Sequence, residues 1–381
     1  MSSEISRRKF AGFVGATLGA SAFPSWLRAV PRAVPRTAAA PAASTDWIRL
    51  SSNENPYPLS ARALEALNRA SRAASRYPDE VEDEARAAIA KSHGVPVEQV
   101  VLGCGSSDIL HMADAAFLPP GKTVVAAEPT FEAVLLHARV TNSEAVKVPL
   151  TSDHRHDLDR MAAACDARTG LVYVCNPNNP TGTIVGGDEL EAFFGRVPSS
   201  AVVLVDEAYH HFVENPRYRT AAGMIERFPN VVVARTFSKI YGMAGMRLGY
   251  GLASRANAEA LSRQASWNNT NTAGLHIALA GLADPGLVPA QRRLLNDTRR
   301  WLCGELDRDG RGYIPSETNF VMIDVGRDVS PVILAFREKK IQVGRKFPSL
   351  SNWLRVSIGT REETTAFLAA LRDIVPARAV A

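Results

Sequence analysis

From residue 47 onward the chain alternates short apolar runs with amphipathic stretches. The runs over 100–102, 123–127, 145–148, 171–175, 202–206, 231–235 and 248–252 are apolar at most successive positions, not only at alternate ones. Runs of this length and continuity predict strands covered on both faces, as parallel sheets require. Between them, 107–117, 130–140, 158–164, 188–195 and 256–264 predict helices. Alternation of this kind is the mark of α/β architecture.

The pattern changes in the last third. A long arginine-rich helix is predicted over 289–309, then a strand at 319–324, a helix at 331–339, a strand at 354–358 and a helix at 362–375. We expect a large domain over 75–280 with a mostly parallel central sheet and a smaller α+β domain over 281–381. Residues 44–74 are expected to form an N-terminal arm that packs on the small domain. At 381 residues and 46% hydrophobic content, the chain is long enough for two packed lobes.

Charge modifies this picture only at the N-terminus. Residues 1–43 hold Arg7, Arg8, Lys9, Arg28, Arg32 and Arg36 against Glu4, a surplus of five that equals the net charge of the whole chain. The remainder is neutral, so charge gives no reason to expect nucleic acid or an anionic membrane as a partner. Ser6-Arg7-Arg8-Lys9-Phe10 precedes a weakly apolar run to Phe23 and an alanine-rich stretch ending at Ala43. That run is too short and too weakly apolar for permanent membrane insertion. The segment resembles a twin-arginine-type export signal, which implies a periplasmic or exported protein that folds before crossing the membrane. The alternative is a cytoplasmic protein with a disordered leader. Cys104, Cys165, Cys175 and Cys303 show no metal or disulfide spacing, and no metal is expected.

Five motifs carry candidate chemistry. Gly103-Cys104-Gly105-Ser106-Ser107-Asp108 joins a strand to a helix, where glycines permit close backbone approach and the helix start offers donors to a phosphate. The plain reading is an N-capped turn. Asn176-Pro177-Asn178-Asn179-Pro180-Thr181-Gly182 makes a rigid turn able to hold an asparagine amide against a ligand. Val202–Val205 runs into Asp206, with Tyr209 three residues on. Asp206 could cap a helix, bind a metal or pair with a protonated ring nitrogen; His210-His211 most simply line the following loop. Thr236-Phe237-Ser238-Lys239 follows an apolar strand and precedes Arg247 by eight residues. A partly desolvated lysine is easier to deprotonate and so nucleophilic. Arg355 interrupts the strand at 354–358 and suits either a structural ion pair or a fork for a carboxylate, with Arg345 as a second candidate.

In this order the motifs resemble the fold-type I pyridoxal-phosphate aminotransferases of class I/II, most closely the histidinol-phosphate aminotransferase branch. Asn53-Glu54-Asn55-Pro56-Tyr57 and Arg76-Tyr77-Pro78-Asp79 are similar to N-terminal motifs of that branch. The resemblance runs from about residue 47 to the end. It implies that pyridoxal 5′-phosphate is the cofactor and that Lys239 forms the internal aldimine and then shuttles the substrate proton. Asp206 would pair with the ring nitrogen, Asn179 and Tyr209 with the ring hydroxyl oxygen, and Phe131 would stack on the ring. Ser106, Ser107, Thr236, Ser238 and Arg247 would hold the phosphate, and Tyr77 would reach that of a neighbouring subunit in a homodimer. Arg355 would bind the substrate carboxylate, with Asn53 near the entrance and Tyr57 and Arg345 close by. Cys104 and Ser107-Asp108 depart from the branch's usual glycine-rich loop, which puts the substrate, not the cofactor, in question.

The reaction implied is amino transfer between an L-amino acid, or a histidinol-phosphate-like amine, and a 2-oxo acid. A lyase or decarboxylase on the same scaffold is the alternative, since cofactor motifs do not fix which bond is cleaved. A non-catalytic regulatory module is more remote, because Lys239, Asp206 and Arg355 are all intact. Trp267, Asn268 and Asn269 suit either the cleft or a structural role.

Overall fold

A seven-stranded sheet organises the larger part of the molecule. The computed structural model describes residues 46–376, which belong to one compact unit beginning at Asp46. The twin-arginine-type signal expected over 1–43 lies outside the described residues. In chain order the strands are β1 (Ile48–Leu50), β2 (Val100–Gly103), β3 (Thr123–Glu128), β4 (Glu144–Pro149), β5 (Thr169–Cys175), β6 (Val202–Asp206), β7 (Val231–Thr236), β8 (Gly249–Ala253), β9 (Tyr313–Ile314), β10 (Phe320–Asp324), β11 (Ile341–Val343) and β12 (Trp353–Ser357). The large sheet has the order β2-β8-β7-β6-β5-β3-β4. Only β8 runs against its neighbours, so the sheet is mostly parallel.

The continuous apolar runs are explained by two cores. Val125, Val172, Val174, Val203, Val205 and Val233 face one side. Val124, Ala126, Leu171, Tyr173, Leu204 and Val232 face the other. Successive residues of one strand point to opposite faces, and helices bury both, so no polar face is left for alternation to reveal.

A second core lies in the C-terminal part, where β12-β10-β9 form an antiparallel sheet. Its packing includes Phe336 stacked on Phe367 at 5.1 Å and Phe320, Val321 and Val356. The helix Arg361–Ile374 starts from a capping box between Thr360 and Glu363. β1 pairs in parallel with β11, while the helix Ala61–Ala70 buries Ala63, Ala66 and Ala70.

Three differences from the sequence reading matter. The helix expected from 130 begins at Ala133, because Thr130 and Phe131 line a cavity instead. Helices Ala61–Ala70, Asp79–His93 and Thr272–Leu282 and the short strands β1, β9 and β11 were not expected. The first two helices bury mainly alanine, a weak hydrophobic signal. Among the described residues, no single helix is long and apolar enough to cross a membrane.

The carboxyl ends of β2, β5, β6 and β7 carry the glycine loop, the asparagine turn, Asp206 and the segment leading to Lys239. Parallel strands bring these ends to one edge of the sheet.

Candidate active site

A cavity of about 470 Å³ opens at that edge. Its lining includes Ser106, Ser107, Phe131, Asn179, Asp206, Tyr209, Thr236, Ser238, Lys239 and Arg247, together with Asn53, Arg345 and Arg355. Four cations (Lys239, Arg247, Arg345, Arg355) stand against Asp206 and Glu54 on its wall. The excess suits an anionic ligand.

Lys239 follows β7 by three residues. Its Nζ donates to Ser52 O at 3.3 Å and lies 5.5 Å from the centre of the Tyr209 ring. The side chain keeps some surface open to the cavity, yet protein atoms crowd the amine. That desolvation first, and the Arg355 charge second, push it down to about 8. The result is an amine that is still mostly protonated near physiological pH but has a far larger neutral fraction than an ordinary lysine.

Asp206 ends β6 and is buried. Tyr173 Oη donates to Oδ2 at 3.0 Å and the Ala208 N–H to Oδ1 at 3.1 Å. Burial pushes the carboxyl up to about 6, against these two bonds and the Lys239 charge. A cation brought into the cavity beside it would favour the ionised form.

The glycine loop and Arg247 make a cup. The helix Ser106–Phe117 starts directly after Gly105, whose φ is +84°. A Cβ on Gly105 would stand 2.3 Å from Arg247 Nη2, and one on Gly249 would stand 2.3 Å from Ser106 N. Only glycine allows this approach. Arg247 Nη1 donates to Ser238 Oγ at 3.2 Å, while Thr236 Oγ1 bonds both Ser238 Oγ and its N–H.

Opposite the cup, Arg355 is buried with Nη1 on Asn179 Oδ1 at 2.6 Å and Nη2 on Ser51 O at 2.9 Å. Its Nε has no partner in the protein. Asn53, expected near the entrance, lines the cavity and is buried at 2% exposure. Its Nδ2 donates to Tyr209 Oη at 3.0 Å, and Ser357 Oγ holds its backbone N–H and its Oδ1.

Other expected residues stand apart. Tyr57 lines a separate small crevice with Tyr241 and Gly281. Tyr77 is 76% exposed and Trp267 is 95% exposed, and neither lines the cavity. Trp267, Asn268 and Asn269 border a second surface cleft with Asp79 and Glu82. His210 and His211 stack on each other at 3.7 Å in the turn after Tyr209.

Sequence reasoning missed Ser52, Glu54, Phe347 and Tyr173. Phe347 lies beneath two guanidiniums, 4.3 Å from that of Arg345 and 5.2 Å from that of Arg355. An arginine–x–phenylalanine spacing next to a second arginine strand was the available signal. Tyr173 was hidden inside an apolar run.

The family model of aminotransferase class I and II matches residues 45–371. A histidinol-phosphate aminotransferase of Moorella thermoacetica is 40% identical over 333 residues, covering 87% of this chain and 86% of that protein. Histidinol-phosphate aminotransferase 2 of Ralstonia nicotianae is 39% identical, covering 86% and 88%. The histidinol-phosphate aminotransferase of Sinorhizobium meliloti, solved in complex with pyridoxal-5′-phosphate, superposes with a TM-score of 0.81 at 27% identity over 86% of this chain and 90% of that one. The chain belongs to the class I and II aminotransferases and is a pyridoxal-phosphate-dependent transaminase.

Proposed function

We propose that the chain moves an amino group between an L-amino acid, or a histidinol-phosphate-like amine, and a 2-oxo acid, with Lys239 as attachment point and base. The observation that carries this reading is the meeting of a desolvated amine, a buried carboxylate and an arginine-lined cup on one cavity.

The donor set fits pyridoxal phosphate. Ser106, Ser107, Ser238 and Arg247 would hold its phosphate in the cup that a Cβ on Gly105 would fill, with Thr236 fixing Ser238. Asp206 would pair with the ring nitrogen, Asn179 and Tyr209 would take the ring hydroxyl oxygen, and Phe131 would cover the ring. When bound, the cofactor delocalises the electron pair left on the substrate Cα. Lys239 Nζ takes the Cα proton and returns it, a task suited to an amine poised near neutrality. Arg355 forks the substrate carboxylate, and its place on the cavity wall supports that role. Arg345 offers a second cation at the cavity wall.

Three further readings complete the proposal. The chain divides into an arm over 44–74, a large cofactor domain over 75–280 and a small domain over 281–381; the pairing of β1 with β11 supports the arm. A homodimer is supported by exposed Tyr77 and Trp267, aromatic side chains that a second copy would cover. The Ser6-Arg7-Arg8-Lys9-Phe10 segment supports export, which favours a free amino acid over a phosphorylated intermediate as donor.

The test is a panel of amino donors given to the cofactor-loaded protein, read by loss of its colour and release of a keto acid. Lys239→Ala should lose turnover by about 10⁴-fold or more. Near-normal turnover in that variant overturns the assignment. Product release without conversion of the cofactor to its amine form identifies a lyase.

A further inference from the structure

An ion pair joins Arg345 of the cavity wall to the large-sheet region. Arg345 Nη2 donates to Glu132 Oε2 at 2.6 Å. Arg345 lies on the connection from β11 to β12, whereas Glu132 immediately precedes the helix Ala133–Val140 of the large-sheet region. The two side chains are 52% and 43% exposed, so water reaches both. Glu132 itself is not part of the cavity wall, but its neighbour Phe131 and its partner Arg345 are.

The Arg345 guanidinium is therefore placed on the cavity and already engaged. It rests on the Phe347 ring that also carries Arg355. Two guanidiniums sharing one ring repel each other; burial holds Arg355 below its ordinary value, and the Arg345 charge adds a smaller push the same way. An anion bridging or adjoining them relieves that repulsion. Arg355 lines the cavity and offers its guanidinium to one anionic group. Arg345 has a carboxylate in place, supplied by the chain itself.

We propose that Glu132 sets donor specificity as an internal competitor: it occupies Arg345 when the side-chain pocket holds no anion, and a donor with an anionic side chain must displace it. This rests on the transaminase site proposed above and names the donor class on which the pair acts, amino acids whose side chain carries an anion besides the α-carboxylate. A neutral donor leaves the Glu132–Arg345 pair closed. An anionic donor exchanges one carboxylate partner for another, so the gain is modest and the discrimination lies in what Arg345 faces. Exposed ion pairs have small coupling energies, which keeps the exchange reversible.

The experiment compares Glu132→Gln with the parent holoenzyme, using glutamate and a donor with a neutral side chain such as phenylalanine. Freed Arg345 should lower KM for the anionic donor that the enzyme uses, raising its kcat/KM relative to the neutral donor by about 3-fold. Arg345→Gln should reverse the ratio, and Glu132→Asp should restore parental behaviour. Equal changes for all donors, or a falling ratio in Glu132→Gln, overturn the proposal. If no donor converts the cofactor in the parent enzyme, the transaminase reading of the site fails instead.

Discussion

Tyr173 Oη donates a hydrogen bond to Asp206 Oδ2 at 3.0 Å, linking β5 to the carboxylate that ends β6. The ring is fully buried in one of the two cores of the large sheet, so the bond is built into the scaffold. Hydrogen bonds to the charged form favour ionisation, and this one opposes the desolvation that pushes Asp206 up to about 6.

Tyr173→Phe should therefore weaken cofactor retention from the acid side. In the unloaded protein Asp206 is charged above about 6 and neutral below it, so binding of a cationic ring falls as pH drops through that value. Without the Tyr173 donor the midpoint should rise by about one to two pH units, given about 1.5–3 kcal/mol for a bond to a charged group. Titration of pyridoxal phosphate binding against pH in both proteins checks it. An unmoved midpoint would show that Tyr173 serves packing alone.

The Lys239 amine should react as a base of pKa about 8, not 10.5. Only the neutral amine condenses with an aldehyde, so capture of pyridoxal phosphate by the unloaded protein should increase with pH and level off above about 8. Arg355 is the second cause of the depression. Arg355→Leu should move the midpoint upward, because it removes a nearby positive charge. Borohydride trapping followed by mass spectrometry measures the midpoint. A midpoint near 10 in the parent protein would contradict the desolvated site.

Gly105→Ala should loosen the phosphate cup. The position has φ +84°, and the added methyl carbon would meet Arg247 Nη2 at 2.3 Å. Arg247 can swing away, but then it leaves Ser238 Oγ and the cup loses a charge-assisted donor. Losing such a bond costs about 1.5–3 kcal/mol, so the cofactor Kd should rise roughly 10- to 100-fold. Fluorescence titration with pyridoxal phosphate gives the number. Unchanged affinity would mean that Arg247 does not hold the phosphate.

Much of this arrangement is legible in the sequence, for a physical reason. Asp206, Lys239 and the glycine loop each follow an apolar run, and a parallel sheet carries such positions to one edge. Local order therefore translates directly into proximity. Tyr173 and Phe347 were not legible, since their contacts depend on strand register and on a loop crossing from another sheet. Asn53 was found by its motif, whereas its hydrogen bond to Ser357 arises only once β12 is in position. The alanine faces of Ala61–Ala70 and Asp79–His93 gave too little hydrophobic contrast to predict their helices.

Away from the cavity, Asp114 is buried with His137 Nδ1 at 2.9 Å from its Oδ2, while its Oδ1 has no partner. Burial pushes Asp114 up to about 8 and burial with the nearby His111 charge pushes His137 down. Both directions describe a neutral hydrogen-bonded pair, not an ion pair. An acid whose pKa is raised on folding binds its proton more tightly in the native state, so this group's contribution to stability is full below about 4 and is lost as pH rises toward 8. Asp114→Asn keeps a polar side chain of the same shape without the ionisation penalty. Its melting temperature should exceed the parent's by about 2 °C at pH 8 and differ less at pH 5. Thermal melts at the two pH values decide between the pairs, because a charged Asp114–His137 pair would make the asparagine variant the less stable one, most clearly where both groups are ionised.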